Sequence, residues 1–202
     1  MNGIVDSEKV RLFVAVTVPE GVKGKMAEAQ AELRQVLRDR NVRWARREQF
    51  HLTLRFLGGV DAARVEALGE AVRGACRGFG ALQLRAQGVG FFPNQRYPRV
   101  VWVGVRDEAE QLPRLQQVVE EATEAFTTEK KEERFTGHLT LARIKGIRRE
   151  EAEALQQVAA GMADRLFGQW TGYRVELMRS ELLPQGARHT CLGSFALAEE
   201  QI

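Results

Sequence analysis

Apolar positions along the chain recur with two periods, and these predict short strands separated by amphipathic helices. Continuous or alternating apolar runs predict strands, among them RLFVAVTVP at 11–19 and FHLTLRFLG at 50–58. Further strands are predicted at 82–93, 99–105, 135–144, 172–183 and 188–197. Apolar residues at helical spacing predict helices at 20–40, about 61–77, 108–128 and 148–163. The segment VRWARREQ at 42–49 is either a connector or a short strand.

The two halves of the chain are similar in this order, and each delivers the tetrapeptide His-Leu-Thr-Leu on a strand that follows a helix. The copies begin at His51 and His138, 87 residues apart, although the chain has only three histidines. No linker rich in Pro, Gly or Ser separates the halves. We therefore predict an α+β protein in which residues 1–202 form a single bilobal domain. Its two pseudo-symmetric lobes, each an antiparallel sheet with helices, would be related by internal duplication.

Composition and charge restrict the class of protein only slightly. The 202 residues are 44% hydrophobic and 28% charged, which is typical of a globular chain. Lys and Arg number 30 against 27 Asp and Glu, giving a net charge of +3 and a pI near 9.1. This is much less basic than a dedicated duplex-DNA-binding protein, and it favours an anionic ligand bound at a local site.

The cysteines and the first residues indicate the compartment. Cys76 and Cys191 lie far apart in sequence and form no C-x-x-C motif, so a reducing compartment is a better interpretation than a disulfide. The segment MNGIVDSEKV lacks the basic-then-apolar order of a signal peptide, and LFVAVTV is too short to span a bilayer. We therefore expect a cytoplasmic monomer that does not associate with membranes.

The repeated tetrapeptide places chemically active side chains on one face of each strand. Because strand residues alternate between faces, His51 and Thr53 share a face opposite the neighbouring leucines. His138 and Thr140 are arranged in the same way. With the leucines in the core, each His-x-Thr pair points to solvent or to a cleft. Each pair then offers one group that titrates near neutrality and one hydroxyl donor.

Two such faces opposed across a cleft would supply what phosphodiester cleavage requires. One imidazole takes a proton from the attacking water, the other protonates the leaving oxygen, and the hydroxyls hydrogen-bond the non-bridging oxygens. A lone H-x-T on a strand is usually an ordinary surface pair, but its repetition at matching points of two similar halves favours catalysis. A zinc site would need further ligands, and neither histidine has an H-x-H, H-x-x-x-H or nearby cysteine partner. We expect no metal and no other cofactor.

These residues also carry a resemblance to a known family. RLFVAV, FHLTLRFLG, FFPNQRYPRVVWVGV and FTGHLTLAR together resemble the 2H phosphoesterase superfamily over nearly the whole chain. Within it, the sequence resembles the RNA 2′,3′-cyclic phosphodiesterases, long called 2′-5′ RNA ligases. The resemblance implies a bilobal fold with the two H-x-T-x strands facing each other across a central groove. It also implies hydrolysis of a 2′,3′-cyclic phosphate, on an RNA end or a cyclic nucleotide, to a 2′-phosphate.

The resemblance further implies a role for each motif residue. His51 is expected to be the proton donor to the departing 3′ oxygen, and His138 the proton acceptor that activates water. Thr53 and Thr140 are expected to bind the phosphate, as is Arg143. Ideal alternation would place Arg143 on the leucine face, so its contact requires a bulge, a strand end or a side chain that curls round the strand.

Four further positions are singled out beside the motifs. Phe13 matches a position that can lie beside the nucleobase in such proteins, and is otherwise plain core. Arg55 follows on the His51 face, so it either contacts the phosphate or RNA backbone or is a solvated surface arginine. Gly137 stands where proline often precedes the second motif. His189 stands where an aromatic such as Tyr is expected, and it either stacks on a base or is an ordinary exposed strand residue.

Two other functions are compatible with these residues. Some proteins of the superfamily hold nucleotides rather than process RNA, so a nucleotide-binding module of the same fold is the alternative, although two complete motifs favour an enzyme. Reversible 2′-5′ RNA ligation would use the same two histidines with exchanged roles, but hydrolysis is favoured because water is present at roughly fifty molar. No G-x-x-x-x-G-K-[ST] motif occurs, which argues against a Walker-type ATPase.

Overall fold

The computed structural model describes residues 8–37, 41–131, 134–184 and 186–197, which form nine strands and four α-helices. In chain order these are β1 (Lys9–Val16), α1 (Glu20–Arg34), β2 (Val42–Trp44), β3 (Leu52–Asp61), α2 (Val65–Cys76), β4 (Leu82–Phe92), β5 (Val100–Asp107), α3 (Gln111–Thr123), β6 (His138–Ile144), α4 (Arg149–Ala160), β7 (Leu166–Gly172), β8 (Arg174–Leu183) and β9 (Gly186–Ala196). Short 3₁₀ turns lie at Arg47–Gln49, Ala62–Arg64 and Glu124–Phe126.

The strands form two antiparallel sheets, and each sheet draws strands from both halves of the chain. One sheet has the order β3-β1-β8-β9, and the other has the order β2-β6-β5-β4-β7. The motif strands β3 and β6 pair with β1 and β5, the first strands of their own halves. In contrast, β2 and β4 join the second sheet and β8 and β9 join the first, so each half contributes two strands to the other sheet. The α+β fold with two pseudo-symmetric antiparallel sheets agrees with the predicted class.

The helices and the inner faces of both sheets bury one large apolar core. The motif leucines lie inside it, since Leu52, Leu54, Leu139 and Leu141 are each at most 1% exposed. Helix α1 adds a buried stripe at helical spacing, formed by Val22, Met26, Ala29 and Leu33. Burying one leucine contributes about 1.5–3 kcal/mol. The four leucines therefore fix the inner faces of β3 and β6 and turn the His-x-Thr faces away from the core.

Three elements differ from the sequence-based expectation. Strand β7 is absent from the predicted order, because its sequence LFGQWTG mixes glycine with polar residues and it lies at a sheet edge, paired with β4. Helix α1 ends at Arg34 rather than at 40, and 38–40 lie outside the described residues. Helix α3 is shorter than 108–128, and Val118, expected on its apolar face, is 37% exposed. The segment 42–49 contains both β2 and a 3₁₀ turn.

Two further expectations concern the membrane and the cysteines. Among the helices that the structure describes, none combines the length and apolar composition needed to cross a bilayer. Cys76 and Cys191 are both unpaired, the first buried and the second exposed.

Candidate active site

A cleft of about 610 Å³ is lined by strands from both sheets. His51, immediately before β3, and Thr53 line it from the first sheet, while Thr140 and Arg143 on β6 line it from the second. His138 is half-buried, two residues before Thr140 on the outer face of β6, with its ring against Phe92 and Trp102. Among the described residues, Thr140 and Arg143 line the cleft from this motif, whereas His138 does not. The fold therefore brings together two motifs that are 87 residues apart in sequence.

Both motif strands carry a β-bulge at the same position, the second leucine of the tetrapeptide. Along β3, the pairing with β1 moves from Ala15–Thr53 to Val14–Arg55, so Leu54 is the extra residue. Along β6, the pairing with β5 moves from Trp102–Thr140 to Val101–Ala142, so Leu141 is extra. A bulge shifts the alternation by one residue. The cleft face therefore continues with Phe56 on β3 and Arg143 on β6.

Hydrogen bonds hold the bulge in β6. The carbonyl of Leu141 accepts from the backbone N–H of Ala45 at 2.9 Å and from Nε2 of Gln30 at 2.7 Å. The same Nε2 donates to the Ala45 carbonyl at 2.9 Å, so one buried side chain of α1 ties together two segments of the cleft wall. Because a bulge removes a carbonyl from the regular ladder, these donors satisfy a group that would otherwise be buried without a partner. Arg143 thus reaches the cleft through a bulge, one of the three routes that the sequence left open.

The expectations for Arg55 are wrong. The bulge at Leu54 turns Arg55 to the inner face of β3, where it is only 4% exposed. Its Nη1 donates to Glu120 at 2.5 Å and to the Lys130 carbonyl at 2.8 Å, and its Nη2 donates to the Glu129 carbonyl at 2.8 Å. Arg55 is therefore neither a phosphate contact nor a solvated surface residue. It is a buried ion-pair partner that ties α3 and the loop after it to β3.

His51 lies in an apolar, partly desolvated setting. Its ring is edge-on to Phe13 with centroids 6.0 Å apart, and 5.4 Å from the ring of His189. Its Nδ1 is buried and has no hydrogen-bond partner among the described residues. Burial lowers the pKa of His51 to about 4, and repulsion from His189 contributes in the same direction, whereas the Gln49 backbone raises it. In the free protein, His51 is therefore neutral at pH 7.

His138 has a defined hydrogen bond. Its Nδ1 lies 2.7 Å from the carbonyl of Thr136, which can only accept, so Nδ1 carries the proton. In the neutral ring, Nε2 is then the free acceptor. Phe92 packs edge-on against the ring at 5.0 Å. Burial lowers the pKa of His138, as does the charge of Arg143, while the bond to Thr136 raises it.

The third histidine also belongs to the cleft, so its interpretation as an ordinary exposed strand residue is wrong. His189 on β9 is half-buried, lines the cleft and lies 4.9 Å from Phe13 between ring centroids. Its pKa is lowered by burial. In the sequence, the one indication of this role is that His189 stands where an aromatic residue is expected. Its place depends on the β8–β9 pairing, in which it lies opposite Ser180.

Phe13 is buried and also lines the cleft. It is 4% exposed and groups with Ala15 and Met178 in a small cluster apart from the main core. Its ring contacts those of His51 and His189 and lies 6.1 Å from that of Phe56. Phe13 therefore forms an apolar floor beside the histidines, and a nucleobase contact stays a prediction.

The charges around the cleft favour an anion. The described lining residues include four arginines and one carboxylate: Arg11, Arg43, Arg46, Arg143 and Glu129. No group of three or more His, Cys, Asp or Glu side chains suited to a metal ion occurs in the described part of the chain. The donors in the cleft are thus imidazoles, hydroxyls and guanidinium groups, which bind phosphate oxygens through hydrogen bonds.

The duplicated architecture corresponds to a known family model. The model of LigT like Phosphoesterase matches the chain twice, over residues 16–102 and 103–189, and each match contains one His-Leu-Thr-Leu strand. The chain belongs to the LigT-like phosphoesterase family. The two matches together span most of the described cleft, from the end of β1 to His189 on β9.

Curated and structural relatives of this LigT-like phosphoesterase agree with that assignment. It is 32% identical to the RNA 2′,3′-cyclic phosphodiesterase of Methanothermobacter thermautotrophicus, over 94% of this chain and 100% of the relative. It is 33% identical to the enzyme of the same name from Thermus thermophilus, over 95% of this chain and 92% of the relative. The crystal structure of TT0787 from Thermus thermophilus superposes with a TM-score of 0.76 at 30% identity, covering 94% of this chain and 99% of the other.

Several residues that line the cleft of this LigT-like phosphoesterase do not follow from its sequence, among them Phe56, Glu129 and Arg43. Phe56 was overlooked because uninterrupted alternation assigns it to the core face, and the bulge reverses it. Glu129 lies in a charged segment, TEKKEER, that is typical of a solvated loop. Arg43 is on the short strand β2, whose side chains could not be placed without the fold. Phe56 and Arg143 occupy matching positions, each five residues after the histidine of its motif. A bulge that brings Arg143 to the cleft therefore predicts the same orientation for Phe56.

Proposed function

We propose that this protein is an RNA 2′,3′-cyclic phosphodiesterase that opens a terminal cyclic phosphate to leave a 2′-phosphate. The observation that carries the proposal is that two H-x-T strands, one from each sheet and both bulged at the second leucine of the motif, reach a single basic cleft. The names of the curated relatives, with coverage of nearly the whole chain, support the same activity. The substrate would be an RNA end or a nucleoside cyclic phosphate.

In this proposal His138 is the general base. The bond from Nδ1 to the Thr136 carbonyl leaves Nε2 as the acceptor, and the lowered pKa keeps the ring neutral at pH 7. Nε2 takes the proton of the attacking water as the water oxygen bonds to phosphorus. This assignment requires the imidazole to face the phosphate across from His51.

His51 is the general acid. Because its pKa in the free protein is about 4, it must gain a proton when the substrate binds. The negative charge of the cyclic phosphate favours the imidazolium and raises the pKa of a nearby histidine. Binding is therefore coupled to proton uptake. As the P–O3′ bond breaks, His51 gives its proton to O3′, and the phosphate stays on O2′.

The remaining motif residues stabilise charge on the non-bridging oxygens. Thr53 and Thr140 would each donate a hydroxyl hydrogen bond, one from each sheet. Arg143 supplies a charged donor through the bulge in β6, and such bonds are about twice as strong as neutral ones. No step in this scheme is assigned to a metal ion.

Ligation would use the two histidines in the roles that they have in hydrolysis, not in the exchanged roles expected from the sequence, because P–O3′ is the bond that breaks in both reactions. A 5′-hydroxyl in place of water would attack the cyclic phosphate and give a 2′-5′ linkage, with His138 again taking the proton. Water at roughly fifty molar competes with any strand that the cleft does not hold in place. Hydrolysis is therefore the proposed main reaction.

The test is product analysis with nucleoside 2′,3′-cyclic phosphates in the presence of EDTA. We expect the 2′-phosphate isomer, with activity unchanged by the chelator. A 3′-phosphate product, or activity lost in EDTA and restored by zinc or manganese, would contradict the mechanism. Binding without turnover would instead favour the alternative, a nucleotide-binding module of the same fold.

A further inference from the structure

The two lobes differ at one matched position of the cleft. Arg143 follows the second bulge, whereas Phe56 follows the first, each five residues after its histidine. Phe56 is 48% exposed, which is unusual for a phenylalanine, and its ring lies 6.1 Å from that of Phe13 at an angle of 43°. One side of the cleft therefore offers a cation, and the other offers an apolar ring surface that begins beside His51.

A carboxylate stands at the far end of this ring surface. Glu129 lines the cleft and packs over Gly58, two residues beyond Phe56 on β3. A Cβ atom on Gly58 would lie 2.5 Å from Glu129 Oε1, and Gly58 has a φ of 61°. The positive φ favours glycine at this point, and the close approach places the Glu129 carboxylate over the backbone of Gly58. In the described part of the chain, no hydrogen bond or ion pair engages the Glu129 carboxylate, although Glu129 itself is held through its backbone.

That backbone is fixed by three contacts. Arg55, anchored on Glu120, donates to the Glu129 carbonyl at 2.8 Å. The N–H of Glu129 donates to Oγ1 of Thr127 at 2.9 Å, and this hydroxyl donates to the Leu57 carbonyl at 2.7 Å. The loop is therefore bound to β3 on both sides of Glu129. The backbone from which the exposed Glu129 side chain projects is therefore already ordered before a ligand binds.

We propose that Phe56 and Glu129 extend the cleft beyond Phe13 into a subsite in which the Glu129 carboxylate selects the base next to the cyclic phosphate. This inference rests on the proposed function. Aromatic rings stack on any base, so they give affinity without selection. The carboxylate can only accept hydrogen bonds, so it favours bases that present N–H donors.

The four bases differ in what they present to a carboxylate. Guanine has N1–H and N2–H₂ side by side, which match both carboxylate oxygens. Adenine and cytosine each present one amino group, the contact by which Glu and Asp read cytosine N4 in nucleic-acid complexes. Uracil presents N3–H between two carbonyl oxygens, which the carboxylate repels. The expected order is guanosine first, then adenosine and cytidine, and uridine last.

The experiment measures kcat/KM for the four nucleoside 2′,3′-cyclic phosphates with the wild type, Glu129→Gln and Glu28→Gln. We expect the wild type to favour guanosine over uridine about 10-fold, within the range for a bidentate contact. Glu129→Gln should reduce this preference to about 2-fold or less, mainly by loss of the guanosine rate. Glu28→Gln removes the same charge from the exposed face of α1 and should leave the preference unchanged.

A second variant tests the stacking surface. Phe56→Ala should raise KM for all four substrates by a similar factor, about 10-fold, because stacking is worth roughly 1–3 kcal/mol per base and tolerates every base. Equal wild-type efficiency on all four substrates, or a preference that survives Glu129→Gln, would overturn the subsite. Failure to hydrolyse any of the four would overturn the proposed function instead, so the two failures are distinguishable.

Discussion

Removing Arg55 should destabilise the protein strongly although the residue touches no catalytic group. The side chains of Arg55 and Glu120 are 3% and 9% exposed, and their closest atoms lie 2.5 Å apart. Arg55→Ala deprives the Glu120 carboxylate of this partner and two loop carbonyls of their donor. Breaking one side of a buried ion pair costs about 3–5 kcal/mol. With a urea slope of about 1–3 kcal/mol/M, the unfolding midpoint should fall by at least about 1 M.

The assay is urea unfolding at pH 7, with two comparison variants. Arg114→Ala removes an exposed arginine from the same helix as Glu120 and should cost within about 0.5 kcal/mol. Arg55→Met combined with Glu120→Leu replaces both charges by apolar groups and should be more stable than Arg55→Ala. A loss below about 1 kcal/mol for Arg55→Ala would refute the assignment of Arg55 as a structural ion-pair partner.

Three further predictions concern the cleft. Because the pKa of His51 is lowered to about 4, the unfolded chain binds more protons than the folded protein between pH 6.5 and 4. The free energy of unfolding, measured by urea titration, should therefore fall as pH decreases through this window. His51→Gln should make this dependence on pH less steep. His189→Gln removes a repulsive neighbour, so NMR titration should show a higher pKa for His51, and an unchanged value would contradict the coupling. Arg143→Ala should lower kcat/KM about 10- to 100-fold, and Arg143→Lys should restore part of it in steady-state kinetics.

Much of the fold follows from the spacing of apolar residues, because burial of their side chains determines which face of each strand and which side of each helix packs into the core. The motif leucines illustrate this: alternation alone places Leu52 and Leu139 in the core, and both are fully buried. The same reasoning fails for β7, where glycine and polar residues at a sheet edge remove the apolar pattern. Strand β7 buries only Phe167 and Gly172 and joins the sheet through its pairing with β4, so its sequence carries a weaker signal than that of β3, which is also an edge strand.

The candidate site could be predicted only as far as the bulges. His51, Thr53 and Thr140 precede the irregularity in each strand, so strict alternation puts them on the correct face. Beyond the bulge, strict alternation assigns each residue to the wrong face of its strand. It therefore places Arg55 on the cleft face, although Arg55 is buried, and Arg143 on the core face, although Arg143 lines the cleft. A bulge depends on partners far away in sequence, such as Gln30 for Leu141, and no local pattern contains them.

The division of labour between the two histidines is the central claim, and a leaving-group experiment tests it most directly. His51→Ala and His138→Ala should each lower kcat by roughly 10² to 10⁴-fold on a normal 2′,3′-cyclic phosphate. In an analogue with sulfur at the 3′ position, the departing thiolate needs little protonation, because a thiol has a pKa near 8.5 rather than that of an alcohol. We predict that this analogue brings His51→Ala to within about 10-fold of the wild type while His138→Ala keeps its full deficit. Equal rescue of both variants, or rescue of His138→Ala alone, would contradict the assignment.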